Sequence, residues 1–249
     1  MYDEKQSREV GEPPGDDAAH IWRYVSLPVL LQMLQTRTLF FPSIATLART
    51  DPWEGRWYAA EAPVVRRGVK ESMLRQLDAD PGTEEDRRSL ETMDFTGVFQ
   101  KAIGKSVNVS CWHENSEESA AMWTIYGAHH GIAVQSRMGL LKSALAIEER
   151  PVAIARVAYG SSIGMKEAPI RLALRKRGSF SHERELRGIV VTELSNAAGT
   201  PVRVDLEALV EKLYVWPLAP SWMVDIVKTE VRLHGLEKPI ERSPLYDPA

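Results

Sequence analysis

The sequence predicts an α+β fold: a single compact domain of mixed or antiparallel sheets with peripheral helices, behind a disordered N-terminal leader. Three observations predict it. Short runs with a two-residue apolar period alternate along the chain with runs of helical period. No internal repeat or low-complexity tract interrupts them, and 249 residues with 44% apolar content suffice for one large core.

Residues 1–19 (MYDEKQSREVGEPPGDDAA) combine charge, Pro13, Pro14 and two glycines with almost no large apolar side chains. Such a segment buries too little to offset its ordering entropy and reads as a flexible leader to a domain of residues 20–249. His20 to Val25 is β-prone; Ser26 then stands as an N-cap with Pro28 in the first helical turn. Leu27, Leu30, Leu31 and Leu34 form one helical stripe, and Thr38 to Phe41 returns as a short strand ending at Pro42. Ala45 to Pro63 is irregular and rich in tryptophan. Residues 69–80 and 83–103 carry helical periodicity around Asp80-Pro81-Gly82 and read as a helical hairpin.

Ser106 to Trp112 alternates, with Val107, Val109 and Cys111 on one face and Ser110 on the other. A helix start at Asn115 to Glu118 leads into Ala120–Tyr126, stopped by Gly127 or Gly131. Strands follow at Ile132 to Gln135 and Val152 to Tyr159, with a helix from Arg137 to Glu148, capped by Ser136, between them. Lys166 to Arg177 reads as a short helix and Ser181 to Thr192 as a long strand. The chain finishes with a helix at Asp205 to Leu213, a strand at Tyr214 to Trp216, a helix at Ser221 to Leu233 and an edge strand at Pro239 to Ser243.

Thirty-one Lys and Arg against 34 Asp and Glu argue against a protein whose main task is gripping duplex nucleic acid. No apolar stretch approaches the roughly 20 residues of a membrane span, and the first residues are not signal-like. With a single cysteine, Cys111, the expectation is a cytoplasmic protein with no membrane partner and no strong nucleic-acid signal.

Ser181-His182-Glu183-Arg184-Glu185-Leu186-Arg187 is the most informative segment. If extended, it sets Glu183, Glu185 and Arg187 on one face, either as a structural ion-pair network or as paired acids acting on a polar ligand. Arg23 interrupts an apolar and aromatic strand and requires an anion there. That anion is Glu183 or Glu185 across the sheet, or a phosphate or carboxylate held bidentately. Asp51-Pro52-Trp53-Glu54 places two acids three apart beside aromatics, which a turn packed on the surface explains equally well. Met122-Trp123 and Tyr126 sit on adjacent helix faces and are more often core than ligand platform. Adjacent His129 and His130 point apart and make a poor metal site. P-loop, zincin, serine-hydrolase and Rossmann signatures are absent.

In order, Trp22-Arg23-Tyr24-Val25-Ser26, Asp51-Pro52-Trp53-Glu54, Val109-Ser110-Cys111-Trp112, Met122-Trp123-x-x-Tyr126-Gly127, Gly131-Ile132-Ala133-Val134 and Glu183-x-Glu185-x-Arg187 resemble a large uncharacterised bacterial family. Its motifs run RY-S, NDP-aromatic-E, S-C-aromatic-S, MW-x-x-Y and E-x-E-x-R. Thr50 and His113 depart from its usual Asn and Ser. The resemblance spans about residues 21 to 245 and implies a domain of unknown function met in defence-type gene neighbourhoods.

The order Arg, strand Ser, Glu-x-Glu also resembles the triad of mono-ADP-ribosyltransferases, a compact α+β fold that holds NAD in a cleft. That resemblance implies NAD as the bound nucleotide. Arg23 would hold a phosphate, Ser110 would support the ribose or the glutamate, Glu185 would meet the ribose, and Glu183 would handle an acceptor of unspecified kind. Tyr126 or Trp123 would stack on nicotinamide, and the Trp53 to Tyr58 loop would close over the ligand. Two other readings stay open. One is a Mg²⁺-dependent nuclease built from Asp51, Glu183, Glu185 and Lys176, favoured if the acids converge without Arg23. The other is a non-enzymatic ligand-binding or interaction module, favoured by an open, shallow surface around Glu185.

Overall fold

Period-two apolar runs build the strands of a mixed sheet in the computed structural model, which describes residues 1–59, 61–79, 84–127, 130–160 and 169–248. The strands are β1 (His20–Ser26), β2 (Thr38–Pro42), β3 (Val107–Glu114), β4 (Gly131–Arg137), β5 (Ala153–Arg156), β6 (Ala158–Tyr159), β7 (Arg175–Lys176), β8 (Glu185–Val191), β9 (Gly199–Arg203), β10 (Lys212–Val215) and β11 (Ile240–Arg242). Seven of them form the main sheet in the order β11-β10-β4-β1-β3-β8-β5. Its pairs are antiparallel except β10 with β11. Two-stranded ladders β2-β9 and β6-β7 flank it.

Strand parity sorts the side chains onto two faces. One face carries Ile21 and Val25 of β1, Ile132 and Val134 of β4, Trp112 of β3 and Leu186 and Val190 of β8. Leu30, Met33 and Leu34 of the helix Leu27–Thr36 and Met223, Val227 and Val231 of the helix Ser221–Leu233 close over it. The opposite face carries Val107, Val109, Ile189, Ala153 and Ala155 at one end and Trp22, Tyr24 and Ala133 at the other. Burying these side chains, at about 1.5–3 kcal/mol for each large aliphatic one, is the main force holding the layers together.

The first nineteen residues correct the expectation of a disordered leader. Residues Glu4–Val10 are a helix whose N-cap, Asp3, accepts a hydrogen bond from the Gln6 amide at 2.8 Å. The amide of Asp3 donates to Val152 O, the amide of Arg156 donates to Glu12 O, and the buried Ser7 hydroxyl accepts from the Ile154 amide at 2.9 Å. Val10 packs with Ala155 and Leu174. Composition misled because little apolar surface is needed here: β5 ends the sheet, and its open backbone edge supplies the bonds that order the segment. Deleting residues 1–12 is therefore expected to lower Tm by roughly 5–10 °C and to promote association through the uncovered β5 edge, checked by thermal denaturation and light scattering.

Other departures are local. The helical stretch after the tryptophan-rich loop is three helices, Ala62–Ala79, Glu84–Thr92 and Phe95–Ser106, the last capped by Asp94; Asp80, Pro81 and Gly82 lie outside the described residues. Ser119, not Asn115 to Glu118, caps Ala120–Tyr126, and Ser136 spends its hydroxyl on Leu209 O instead of capping the helix Met138–Ala144. The Lys166 to Arg177 stretch yields a 3₁₀ turn at Pro169–Leu174 and then β7, its residues 166–168 lying outside the described part. Gly178–Glu183, expected to begin a strand at Ser181, is a 3₁₀ turn, and Arg184 adopts a left-handed conformation (φ 40°) before β8 begins.

Candidate active site

The site is built where the main sheet splits. β1 pairs with β4 along its full length, from His20 to Ser26, but with β3 only at Ile21 with Glu114 and Trp22 with His113. Beyond Trp22 the two central strands share no ladder. A cavity of about 660 Å³ opens there, within the usual range for small-ligand sites. Its walls come from both faces. Cross-strand partners share a face, so Trp22, His113 and Glu185 lie side by side on one, while Arg23, Ser110 and Trp112 belong to the other.

Arg23 lines the cavity from its own face. Its guanidinium donates to the Ser110 hydroxyl and, at 3.2 Å, to Phe40 O, and lies 5.8 Å from the centre of the Trp112 ring. The Ser110 oxygen also accepts from Trp112 Nε1 at 3.1 Å. Ser110 is thus a buried bracket that aims Arg23, and it does not itself line the cavity. No carboxylate among the described residues pairs with Arg23, and burial without a counter-ion lowers its pKa. The expected cross-sheet pairing of Arg23 with Glu183 or Glu185 is therefore absent.

Glu183 and Glu185 meet on the opposite wall, though not by the strand alternation expected. Glu183 ends the 3₁₀ turn and Glu185 opens β8; what gathers them is Lys176 of β7. Lys176 Nζ pairs with Glu183 Oε2, lies 2.9 Å from Glu185 Oε2, and is 3.7 Å from Glu54 Oε1. Tyr126 donates its hydroxyl to Glu183 Oε1 at 2.8 Å. Arg187, with no exposed side-chain surface, presents one edge to Glu185 (2.7 and 3.2 Å) and the other to Glu54 (3.0 and 2.7 Å), with Ala173 O at 2.6 Å taking the fifth N–H. Three carboxylates and two cations are thereby buried together.

The electrostatics follow from these contacts. Burial pushes Glu185 up, but Arg187 and then Lys176 overcome it and hold the carboxyl well below its ordinary value. Lys176 is likewise penalised by burial, yet Glu185 and its neighbours carry it above the usual lysine range. Burial and then the Glu183 charge raise Tyr126, so its phenol stays protonated and donating. Burial and then Glu185 raise Cys111, which leaves its thiol neutral. Burial lowers His113, whose Nδ1 sits 2.5 Å from Glu183 O and whose Nε2 is enclosed without a partner.

Of the residues singled out in the sequence, Arg23, Glu183, Glu185 and Tyr126 line the one cavity, and Ser110 stands directly behind Arg23. Trp123 does not reach it. It is fully buried, donates Nε1 to Glu118 at 2.8 Å and stacks edge-on under Tyr24 at 5.1 Å, so it is core beneath the wall and no stacking platform. Glu54, for which the sequence left a paired-acid role and a packed surface turn equally open, is 4% exposed and joins the site, whereas His113 was not among the candidate site residues. The signal for Glu54 was the basic end of Glu183-x-Glu185-x-Arg187: a buried guanidinium offers two edges and Glu185 can fill one.

The segment Asp51 to Tyr58 forms part of the wall and is held by β7 and the residue after it. Arg175 grips Arg56 O at 2.7 Å and Glu61 at 2.6 Å and covers the Tyr58 ring, and Arg177 meets Asp51 at 3.1 Å. Gly55 turns the loop with φ 66°, where a Cβ would overlap Ile44. Among the described residues no group of three or more His, Cys, Asp or Glu is arranged to hold a metal ion; His129 lies outside them. Nor is any described helix long and apolar enough to cross a membrane.

No family model and no curated protein match the chain. Among solved structures it is similar to Thermus sp. 2.9 DarT in complex with ADP-ribosylated ssDNA, at 10% identity and a TM-score of 0.41, over 93% of this chain and 95% of that one. At that distance only the site's own geometry can support a function.

Proposed function

We propose that this chain is an NAD-using enzyme of the ADP-ribosyltransferase type, with its reaction centre at Glu185. One observation carries the reading: a guanidinium lacking a carboxylate partner among the described residues, Arg23, and the acidic pair Glu183 and Glu185 line a single cavity in a split sheet. The chain's own groups suit such a dinucleotide. Arg23 has a fork free of acid and aimed by Ser110, which suits a phosphate. Tyr126 and Trp22 supply aromatic wall.

NAD would supply an ADP-ribosyl group joined to nicotinamide, which departs as a neutral molecule. Glu185, ionised and fixed by Arg187 and Lys176, stabilises the positive charge that builds on the ribose as that bond breaks, and it needs no reorganisation to do so. Glu183, bonded to the Tyr126 hydroxyl, is placed to orient or deprotonate the group that accepts the sugar. The low exposure of Glu183 and Glu185 limits water around them, which strengthens their effect.

The two competing readings fare less well. Glu185 lies 5% exposed inside a cavity and not on a shallow surface, and Arg23 lines that same cavity. Asp51 is bound to Arg177, and the Lys176 ammonium already occupies the space between Glu183 and Glu185 where a cation would sit. The test is nicotinamide release from NAD by the purified protein, with and without cell extract. Wild type is expected to release it, and Glu185→Gln to lose on the order of 10²–10³-fold in kcat with an unchanged circular dichroism spectrum. No release by wild type under either condition would overturn the reading.

A further inference from the structure

Among the described residues, the hydrogen bonds and ion pairs that join the Asp51 to Tyr58 segment to the Arg187–Glu185 cluster come from Glu54. Glu54 reaches from it into the buried charge cluster and binds Arg187 with both carboxylate oxygens, at 2.7 and 3.0 Å. The opposite edge of the same planar guanidinium, Nε and Nη2, binds both oxygens of Glu185. With Ala173 O, every N–H of Arg187 is used, and no side-chain surface of Arg187 is open to water. A guanidinium clamped on two edges has one orientation, and the carboxylate on its far edge inherits that orientation.

We infer that Glu54 is a positioning residue: through Arg187 it sets the plane of the Glu185 carboxylate and ties the Asp51 to Tyr58 wall to the reaction centre. This rests on the reading of Glu185 given above. Without Glu54, Arg187 keeps only Ala173 O on its outer edge, and its plane is free to turn. Lys176 then becomes the main anchor of Glu185 and draws it toward Glu183. The wall loses its inner tether but keeps Arg175 on Arg56 O and Arg177 on Asp51. The chain should therefore stay folded while the geometry at Glu185 loosens.

Three measurements on the full chain test it. In nicotinamide release, Glu54→Gln is expected to lower kcat by on the order of 10²-fold, the scale for a displaced catalytic group, with little change in KM. Arg187→Lys, which preserves the charge but not the plane, is expected to lower kcat to a similar degree; full activity in Arg187→Lys would show that charge alone suffices and would overturn the inference. The third readout does not need activity. Cys111 is the single cysteine of the chain and lies against Glu185, so its alkylation rate reports the packing there. In Glu54→Gln that rate is expected to rise about tenfold, with faster amide exchange across residues 51–58.

If wild type releases no nicotinamide, the functional reading fails while the alkylation and exchange rates still decide the positioning claim. Wild-type rates in Glu54→Gln would overturn it. If Glu54→Gln does not fold, Glu54→Asp keeps the charge with a shorter reach, and the same rise in Cys111 alkylation is expected there; its absence would overturn the claim.

Discussion

Replacing Arg187 with Met is expected to cost about 3–5 kcal/mol of stability, a large part of what a domain of this size possesses. The reason is what remains behind. Glu54, Glu183 and Glu185 would share the buried wall with Lys176 alone, and Glu54 lies 3.7 Å from it. On the usual scaling for a chain of this length, Tm should fall by roughly 10 °C. Arg187→Met combined with Glu54→Leu should recover part of the loss, because the second change removes a stranded charge.

Acid titration offers an independent check on the same network. The folded pKa of Glu185 lies below its unfolded value, so the unfolded chain takes up this proton first as pH falls. The contribution of Glu185 is complete above the unfolded carboxylate range and is lost as pH drops from that range through the folded pKa. Wild type should therefore lose stability steeply on acidification, and Arg187→Met, which removes the chief cause of the depression, should show a shallower slope. Urea midpoints measured between neutral pH and about pH 3 read this directly. A variant as stable and as acid-sensitive as wild type would mean that Arg187 does not organise the wall.

The split sheet and its ligands were legible to different degrees. A charge inside an apolar strand is conspicuous, and parity alone separates Ser110 from Val107 and Val109; both features are local and survive into the structure. Glu183 and Glu185 were visible as a pair, but the alternation that suggested a shared face does not apply. The turn at Gly178–Glu183 and the left-handed Arg184 break the strand between them, and a lysine seven residues before Glu183 gathers the pair instead. Such convergence depends on contacts distant in sequence, which periodicity does not encode.

Trp123 and Tyr126 show the same limit on one helix turn. Three residues apart, they were candidates of equal standing, yet the helix sends Trp123 beneath Tyr24 and Tyr126 to Glu183. The leader failed for a further reason: its order comes from the backbone edge of β5, a demand set by sheet topology and not by its own composition.

Arg23→Met is expected to move stability and ligand binding in opposite directions. In the free protein the Arg23 guanidinium is partly desolvated, lacks a carboxylate partner among the described residues, and contacts a hydroxyl, a backbone carbonyl and the Trp112 ring. A half-buried charge without a counter-ion carries a desolvation cost, and its replacement by an apolar side chain of similar volume should stabilise the fold by up to about 1 kcal/mol. Leaving Phe40 O without its donor offsets a fraction of that.

Binding responds the other way, because the missing counter-ion is what a phosphate would provide. Pyrophosphate is expected to raise the Tm of wild type in a concentration-dependent manner, by mass action on the folded state, and to leave Arg23→Met unmoved. On the proposed reading, in which Arg23 would hold a phosphate remote from the bond that breaks, the change in NAD turnover should appear mainly in KM. Thermal denaturation with and without pyrophosphate tests both signs at once. A less stable Arg23→Met, or one still protected by pyrophosphate, would show that Arg23 serves the fold rather than an anion. Sites that bind at the expense of stability are where such opposite responses occur, and Arg23 is the residue of this cavity that meets that description.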